Sequence, residues 1–334
     1  MQYTYTVDQS QNGISLGAFL KRAGLSLSLV RTLKRAENGI TVNGELAHTN
    51  RVLSAGDVVA VCPPESECAL SPCYTAVDVL YESRDAIVYN KPAGMAVHPT
   101  LGYPDGTLAN VYAARLLERN ENGAFRPVNR LDKNTSGTVL AAKSRLAAPG
   151  LAQSSKKLYI ALAEGEIDLP DRFEINAPIA LGENSIIVRR VHASGKPSVT
   201  RFAVLARLRG YTLLAAQTVT GRTHQIRAHL QYIGHPLCGD DLYGGSCDMI
   251  SRHALHCARV SFFDESRCET VSVTAPLPRD FLCALERVGC DAAAASLPPT
   301  LTEIAEISAV VNFKSKLHSS KNVEPTVENE MNSV

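Results

Sequence analysis

Hydrophobic positions partition this chain into segments of different period. In residues 12–62, Leu16, Phe19, Leu20 and Ala23 recur at helical spacing and Gly24 follows, which predicts a short helix. A second helix carries Leu29, Val30 and Leu33 behind a Ser26 or Ser28 cap, with Arg31, Lys34 and Arg35 projecting from it. Ile40-Thr41-Val42 then enters an Asn43-Gly44 hairpin turn, and 58–61 reads as a strand after Gly56-Asp57. Residues 63–76, PPESECALSPCYTA, hold three prolines without periodicity and read as a linker. From 77 to 290 the period shortens, with β-type runs at 77–81, 86–89, 138–142, 158–163, 199–206 and 212–219 and a helical stretch at 107–119. Strands and helices do not alternate evenly there. The expected class is therefore α+β, a mixed and largely antiparallel sheet preceded by a small αα-β domain. Residues 291–334 are expected to form a mobile acidic tail with a short helix near 302–311.

Composition sharpens this division. A chain of 334 residues, 45% hydrophobic, has room for about two packed domains. The net charge of +1 speaks against a bulk-basic DNA-binding protein. That balance hides an asymmetry: residues 12–62 hold six Lys or Arg against three Asp or Glu, and the tail holds six acidic against three basic residues. Arg22, Arg31, Lys34 and Arg35 of the first segment are candidate phosphate contacts. The nine cysteines contain no C-x-x-C pair, so neither a zinc knuckle nor a redox dithiol is indicated. No secretory signal and no apolar run of membrane-spanning length is present, and a cytoplasmic protein with reduced thiols is expected.

Dinucleotide and phosphate loops of the G-x-G-x-x-G and Walker types are missing, as is a G-x-S-x-G elbow. His224 and His229 lie five apart, about 140° around a helix, a poor spacing for one metal ion. Three segments remain as candidates for chemistry. Asn90-Lys91-Pro92-Ala93-Gly94 begins a shaped loop after a strand. Asn129-Arg130-Leu131-Asp132-Lys133 and the following turn present Asp132 between two cations, which suits a nucleophile or base but equally a surface charge cluster. In the helix after Thr220-Gly221, Ile226, Leu230 and Ile233 form a buried stripe, while His224, Arg227 and Gln231 share another face. Gly234-His235-Pro236 to Asp240, with Tyr243-Gly244, makes a tight loop.

Together, NKPAGMAVHP at 90–99, NRLDKNTSG at 129–137, TGRTHQIRAHL at 220–230 and GHPLCGD at 234–240 resemble the RluA-type family of RNA pseudouridine synthases. GKPSVTRF at 195–202 and LH at 255–256 also fit, and the resemblance spans about residues 77–280. Residues 12–62 resemble the S-four-type RNA-binding domain that often precedes that catalytic domain. The resemblance implies an isomerase acting on RNA: ribosomal RNA of the large subunit is the usual substrate, transfer RNA another. It assigns Asp132 as the catalytic aspartate, Arg227 as its partner, Tyr159 as the tyrosine packing on the target base, and Arg130 as an arginine holding the flipped-out nucleotide. It implies no cofactor, no metal and no membrane, and a monomer. The reaction exchanges a C–N for a C–C bond without net electron transfer. Asp132 could attack the base, attack the sugar or accept a ribose proton. A non-catalytic RNA-binding or ribosome-assembly factor on the same fold is the alternative, and the intact Asp132, Tyr159, Arg227 set favours the enzyme. Two departures stand out. Asn129 occupies a position where many members have His, and Pro149-Gly150 interrupts a helix expected at 144–156.

Overall fold

The computed structural model describes residues 2–64, 68–183, 185–290, 309–312 and 326–329. In the N-terminal module, Ser15 and Ser26 cap helices Leu16–Arg22 and Leu27–Leu33, their hydroxyls accepting the Ala18 and Leu29 N–H groups. The apolar side of both helices (Leu16, Leu20, Leu29, Leu33) packs on Val42, Val59 and Val61 of an antiparallel sheet. That sheet runs Tyr3–Thr6, Val58–Val61, Ile40–Val42, Glu45–Leu46. Its first strand lies before residue 12, so the module reaches further toward the N-terminus than the helical periodicity indicates; a four-residue strand with Thr at alternate positions carries little apolar signal. Tyr3 also ties the module to the rest of the chain, its hydroxyl donating to Asp85 (2.9 Å) and lying 2.7 Å from Ser144 Oγ.

The second unit is a mixed, largely antiparallel twelve-stranded sheet. Its core order is Arg172–Asn176, Val199–Leu208, Tyr211–Thr218, Lys156–Glu164, Leu255–Asp264, Ser136–Ala142, Ala86–Lys91, Val79–Glu82. Leu255–Asp264 and Ser136–Ala142 pair in parallel, as do Arg172–Asn176 and Ala309–Asn312. Lys156–Glu164 shows how the sheet is buried on both faces. Leu158, Ile160 and Leu162 join one core with Phe281 and Leu285 of helix Arg279–Arg287. Tyr159, Ala161 and Ala163 join the other, with Leu108, Tyr112 and Leu116 of helix Leu108–Glu118 and Ile226 and Leu230 of helix Gln225–Tyr232. The two-residue period of a strand thus sends Tyr159 to the face that carries the Arg227 helix.

Several local expectations change. A helix forms at Ala147–Ser154 despite Pro149, shorter than 144–156. The proline is its third residue, where no intrahelical bond needs its missing N–H. Asn129 is buried, donating to Thr138 O (3.0 Å) and accepting the Leu140 N–H (2.8 Å), so it staples the loop to the neighbouring strand. In the 63–76 segment, Ser71 O and the Cys73 N–H bond to Asn110 of helix Leu108–Glu118. The helix expected at 302–311 falls mostly outside the described residues; at Ala309–Asn312 the backbone is a strand.

Candidate active site

Asp132 sits in the turn that precedes strand Ser136–Ala142, closed by a Thr135 N–H to Asp132 carbonyl bond of 3.1 Å. Gly137 is what lets this strand approach its neighbour. Its φ is +112°, and a β-carbon there would lie 2.2 Å from the Cys257 carbonyl oxygen. Beneath the turn, Lys91 is fully buried, and its Nζ donates to the carbonyls of Pro92 (2.8 Å), Met95 (2.7 Å) and Lys133 (3.0 Å). One side chain thereby ties the 92–95 loop to the Asp132 loop. Burial pulls the Lys91 pKa down to about 7, opposed by the nearby Asp132 carboxylate. On the far side, Thr135 Oγ1 bonds His253 Nε2 at 2.8 Å, and burial lowers the His253 pKa to about 2, so the ring is neutral.

Arg227 arrives from the opposite direction. Gln225 anchors the start of its helix: Oε1 accepts from Thr220 Oγ1 (2.9 Å) and Arg222 N (3.0 Å), and Nε2 donates to Val199 O (2.9 Å). The guanidinium is almost fully buried. Its Nε and Nη2 each lie 2.7 Å from an Asp240 carboxylate oxygen, and Nη1 reaches Asp132 Oδ2 at 3.2 Å. Burial opposes the Arg227 charge, but the bonds to Asp240 and Asp132 outweigh it and raise its pKa. Tyr243 packs under the cation, 4.8 Å from ring centroid to Cζ. Tyr159 is buried between Cys257 and Ala216 in register, and burial pushes its phenol well above its ordinary pKa.

The structure thus brings Asp132, Tyr159, Arg227 and Arg130 to one cleft. A recess of about 60 Å³ is lined by all four together with Arg222 and His224, and beside it lies a cleft of about 680 Å³ whose wall adds Lys133 and Lys157. Arg130 is exposed there. Arg22, Arg31, Lys34 and Arg35 are not part of this cleft; Arg22 and Arg31 are exposed on the N-terminal helices, Lys34 and Arg35 in the turn after the second, and none makes an ion pair among the described residues. Lys91, Asp240 and Tyr243 stood in segments read as candidates for chemistry but had no role assigned, and His253 lay outside them. The available signal for Lys91 was a lysine closing a strand that opens on four apolar residues, AIVYNK. Asp240 closes the GHPLCGD motif and Tyr243 follows it, and neither was given a contact there. Among the described residues no group of three or more His, Cys, Asp and Glu could hold a metal ion, and no helix is long and apolar enough to cross a membrane.

A paired carboxylate beside a buried tyrosine, in a cleft rimmed by cations, offers chemistry and charge that suit an anionic polymer. The RNA pseudouridylate synthase family matches residues 85–232. An uncharacterised RNA pseudouridine synthase of Bacillus subtilis (strain 168), YhcT, is 36% identical over 82% of this chain and 93% of its own length. Ribosomal large subunit pseudouridine synthase D of Neisseria meningitidis (serogroup A) is 33% identical over 82% of each chain. Human RNA pseudouridylate synthase domain containing 1 has the same fold, with a TM-score of 0.51 at 25% identity over 68% of this chain and 97% of that one. The chain belongs to the RNA pseudouridine synthase family: it is an isomerase that acts on RNA.

Proposed function

We propose that this enzyme converts uridine to pseudouridine in large-subunit ribosomal RNA, with Asp132 as the catalytic carboxylate. The carrying observation is the chain of contacts Asp240–Arg227–Asp132 at the floor of the cleft. Asp240 takes the Nε–Nη2 edge of the guanidinium, so Arg227 is held rigidly and offers Nη1 to Asp132. A carboxylate fixed in this way is held in one orientation next to the ribose and uracil that the reaction must separate and rejoin. Tyr159 offers an apolar ring to the base, and Arg130 on the rim is suited to hold the extruded nucleotide by its phosphate. The isomerisation consumes no electrons, so these side chains suffice without a cofactor, and one chain carries all of them, in keeping with a monomer. The ribosomal substrate is favoured by the relatives named as large-subunit synthases. Arg22, Arg31, Lys34 and Arg35 add phosphate contacts from the N-terminal module.

The test is Asp132→Asn, checked for an unchanged thermal midpoint. Pseudouridine formation in RNA from cells lacking the gene is expected to fall to background while RNA binding persists. Retained activity overturns the role of Asp132. Mapping pseudouridine in total RNA with and without the gene tests the substrate: loss confined to transfer RNA overturns the ribosomal assignment.

A further inference from the structure

His224 lines the cleft, and Tyr243 packs behind it under Arg227; these two side chains also contact each other. His224 has φ 55° and ψ 22°, the left-handed region that a β-carbon disfavours, immediately before helix Gln225–Tyr232. Such an outlier persists only where its surroundings hold it, and it points to function. The neighbours of the ring define its tautomer. Tyr243 Oη accepts the Arg189 N–H at 2.9 Å and lies 3.0 Å from His224 Nδ1. A phenol has one proton to donate, and among the described residues Nδ1 is the acceptor it meets. The hydroxyl therefore donates to Nδ1, and the proton of the ring sits on Nε2. That nitrogen faces Asp132 Oδ2 at 3.8 Å, the same oxygen that Arg227 Nη1 reaches at 3.2 Å. Oδ1 has no partner among the described residues.

We infer that Tyr243 and His224 are positioning residues for the isomerisation: Tyr243 fixes the Nε2–H tautomer of His224, and that N–H steadies Asp132 by Oδ2, leaving Oδ1 to meet the nucleotide. The inference deepens the reading of Asp132 as the catalytic carboxylate and rests on it. The 3.8 Å approach is longer than a hydrogen bond and closes when the nucleotide fills the cleft, as catalytic contacts commonly do. Burial lowers the His224 pKa, so near neutral pH the ring carries a single N–H to place. Burial also pushes the Tyr243 hydroxyl up to about 12, so it keeps the proton it donates.

The experiment is a double-mutant cycle on the full chain. It reads the single-turnover rate and the half-saturating enzyme concentration on deproteinised RNA from cells lacking the gene. Tyr243→Phe keeps the ring under Arg227 and removes only the hydroxyl; it is expected to slow turnover about tenfold, the scale of one lost hydrogen bond to a charged network, with half-saturation unchanged. His224→Ala slows turnover at least as much. His224→Gln supplies an amide N–H at similar reach with no tautomer to fix, so it recovers turnover to within about threefold of wild type. In the His224→Gln background, Tyr243→Phe adds nothing. Equal slowing by Tyr243→Phe in both backgrounds, or none in either, makes Tyr243 merely structural and overturns the inference. So does His224→Gln as slow as His224→Ala, a comparison that does not require the tyrosine variant to fold. Activity in Asp132→Asn overturns the catalytic reading itself, whereas an inert Asp132→Asn with any of those outcomes overturns the inference alone.

Discussion

Asp240 is the residue on which the geometry of the site depends most heavily. Its carboxylate is fully buried and binds a guanidinium whose side chain is 6% exposed, through two contacts of 2.7 Å. Asp240→Asn preserves shape and removes the charge. Leaving one member of a buried ion pair unmatched costs about 3–5 kcal/mol. The amide still accepts one N–H, and Asp132 remains a partner for Arg227, so the lower end, about 3 kcal/mol, is expected. For a domain of this size that lowers the thermal midpoint by about 6–12 °C. The released guanidinium is free to turn toward Asp132, so that carboxylate loses its fixed orientation. A loss of about 10- to 100-fold in turnover is expected, the worth of one charged hydrogen bond. Calorimetry measures the first quantity. Release of tritium from RNA labelled at uracil C5 measures the second, because that hydrogen leaves when the new carbon bond forms. Asp241→Asn, next in sequence but exposed, is the control and should shift stability by less than about 0.5 kcal/mol. A midpoint for Asp240→Asn within about 2 °C of wild type, with turnover intact, would refute the reasoning.

Gly137→Ala places a β-carbon 2.2 Å from the Cys257 carbonyl at a φ of +112°, so the variant should be destabilised by more than about 4 kcal/mol; a soluble variant with a wild-type denaturation curve would contradict this. Burial lowers the pKa of His229 and of His256 from 6.5 to about 4, so each is neutral in the fold and takes up a proton on unfolding. Stability is therefore present above pH 6.5 and is lost as pH falls toward 4, at up to about 2.7 kcal/mol per pH unit for the two together; urea midpoints flat between pH 6.5 and 4.5 would count against it. Replacing Arg31, Lys34 and Arg35 by Ala should weaken RNA binding and reduce its log-log salt slope by about two to three, with the slope of the parent chain unchanged as the contrary result.

Half of the strands in the sheet of the second unit were legible, because their signal is local. The runs at 86–89, 138–142 and 158–163 are apolar and bounded by turns, and each lies inside a longer observed strand, as with Ser136–Ala142. Arg172–Asn176, Glu269–Thr274 and helix Arg279–Arg287 were not legible: the first two alternate apolar with charged or hydroxyl residues over five or six positions, and the helix buries only Phe281, Ala284 and Leu285. Asp132 and Arg227 stood out through glycine-bounded turns and helical spacing, and these are properties of neighbours in sequence. Whether a charged residue is solvated or buried is not such a property. The turn around Asp132 read equally well as a surface cluster until strand pairing put Gly137 against Cys257 and the Gln225 anchor aimed Arg227 at it.

The sequence alone determined the two-part organisation, the α+β class, the uneven distribution of charge and the residue types available for chemistry, because periodicity, turns and composition act over a few residues. Tertiary structure alone decided which of those residues meet. Asp240 binding Arg227, Lys91 bridging two loops, Tyr243 meeting His224 and Tyr159 facing the cleft all depend on sheet register and burial. They join residues up to about a hundred positions apart, as Arg227 does Asp132, and electrostatics and hydrogen bonding depend on distance and solvent exposure in the folded chain.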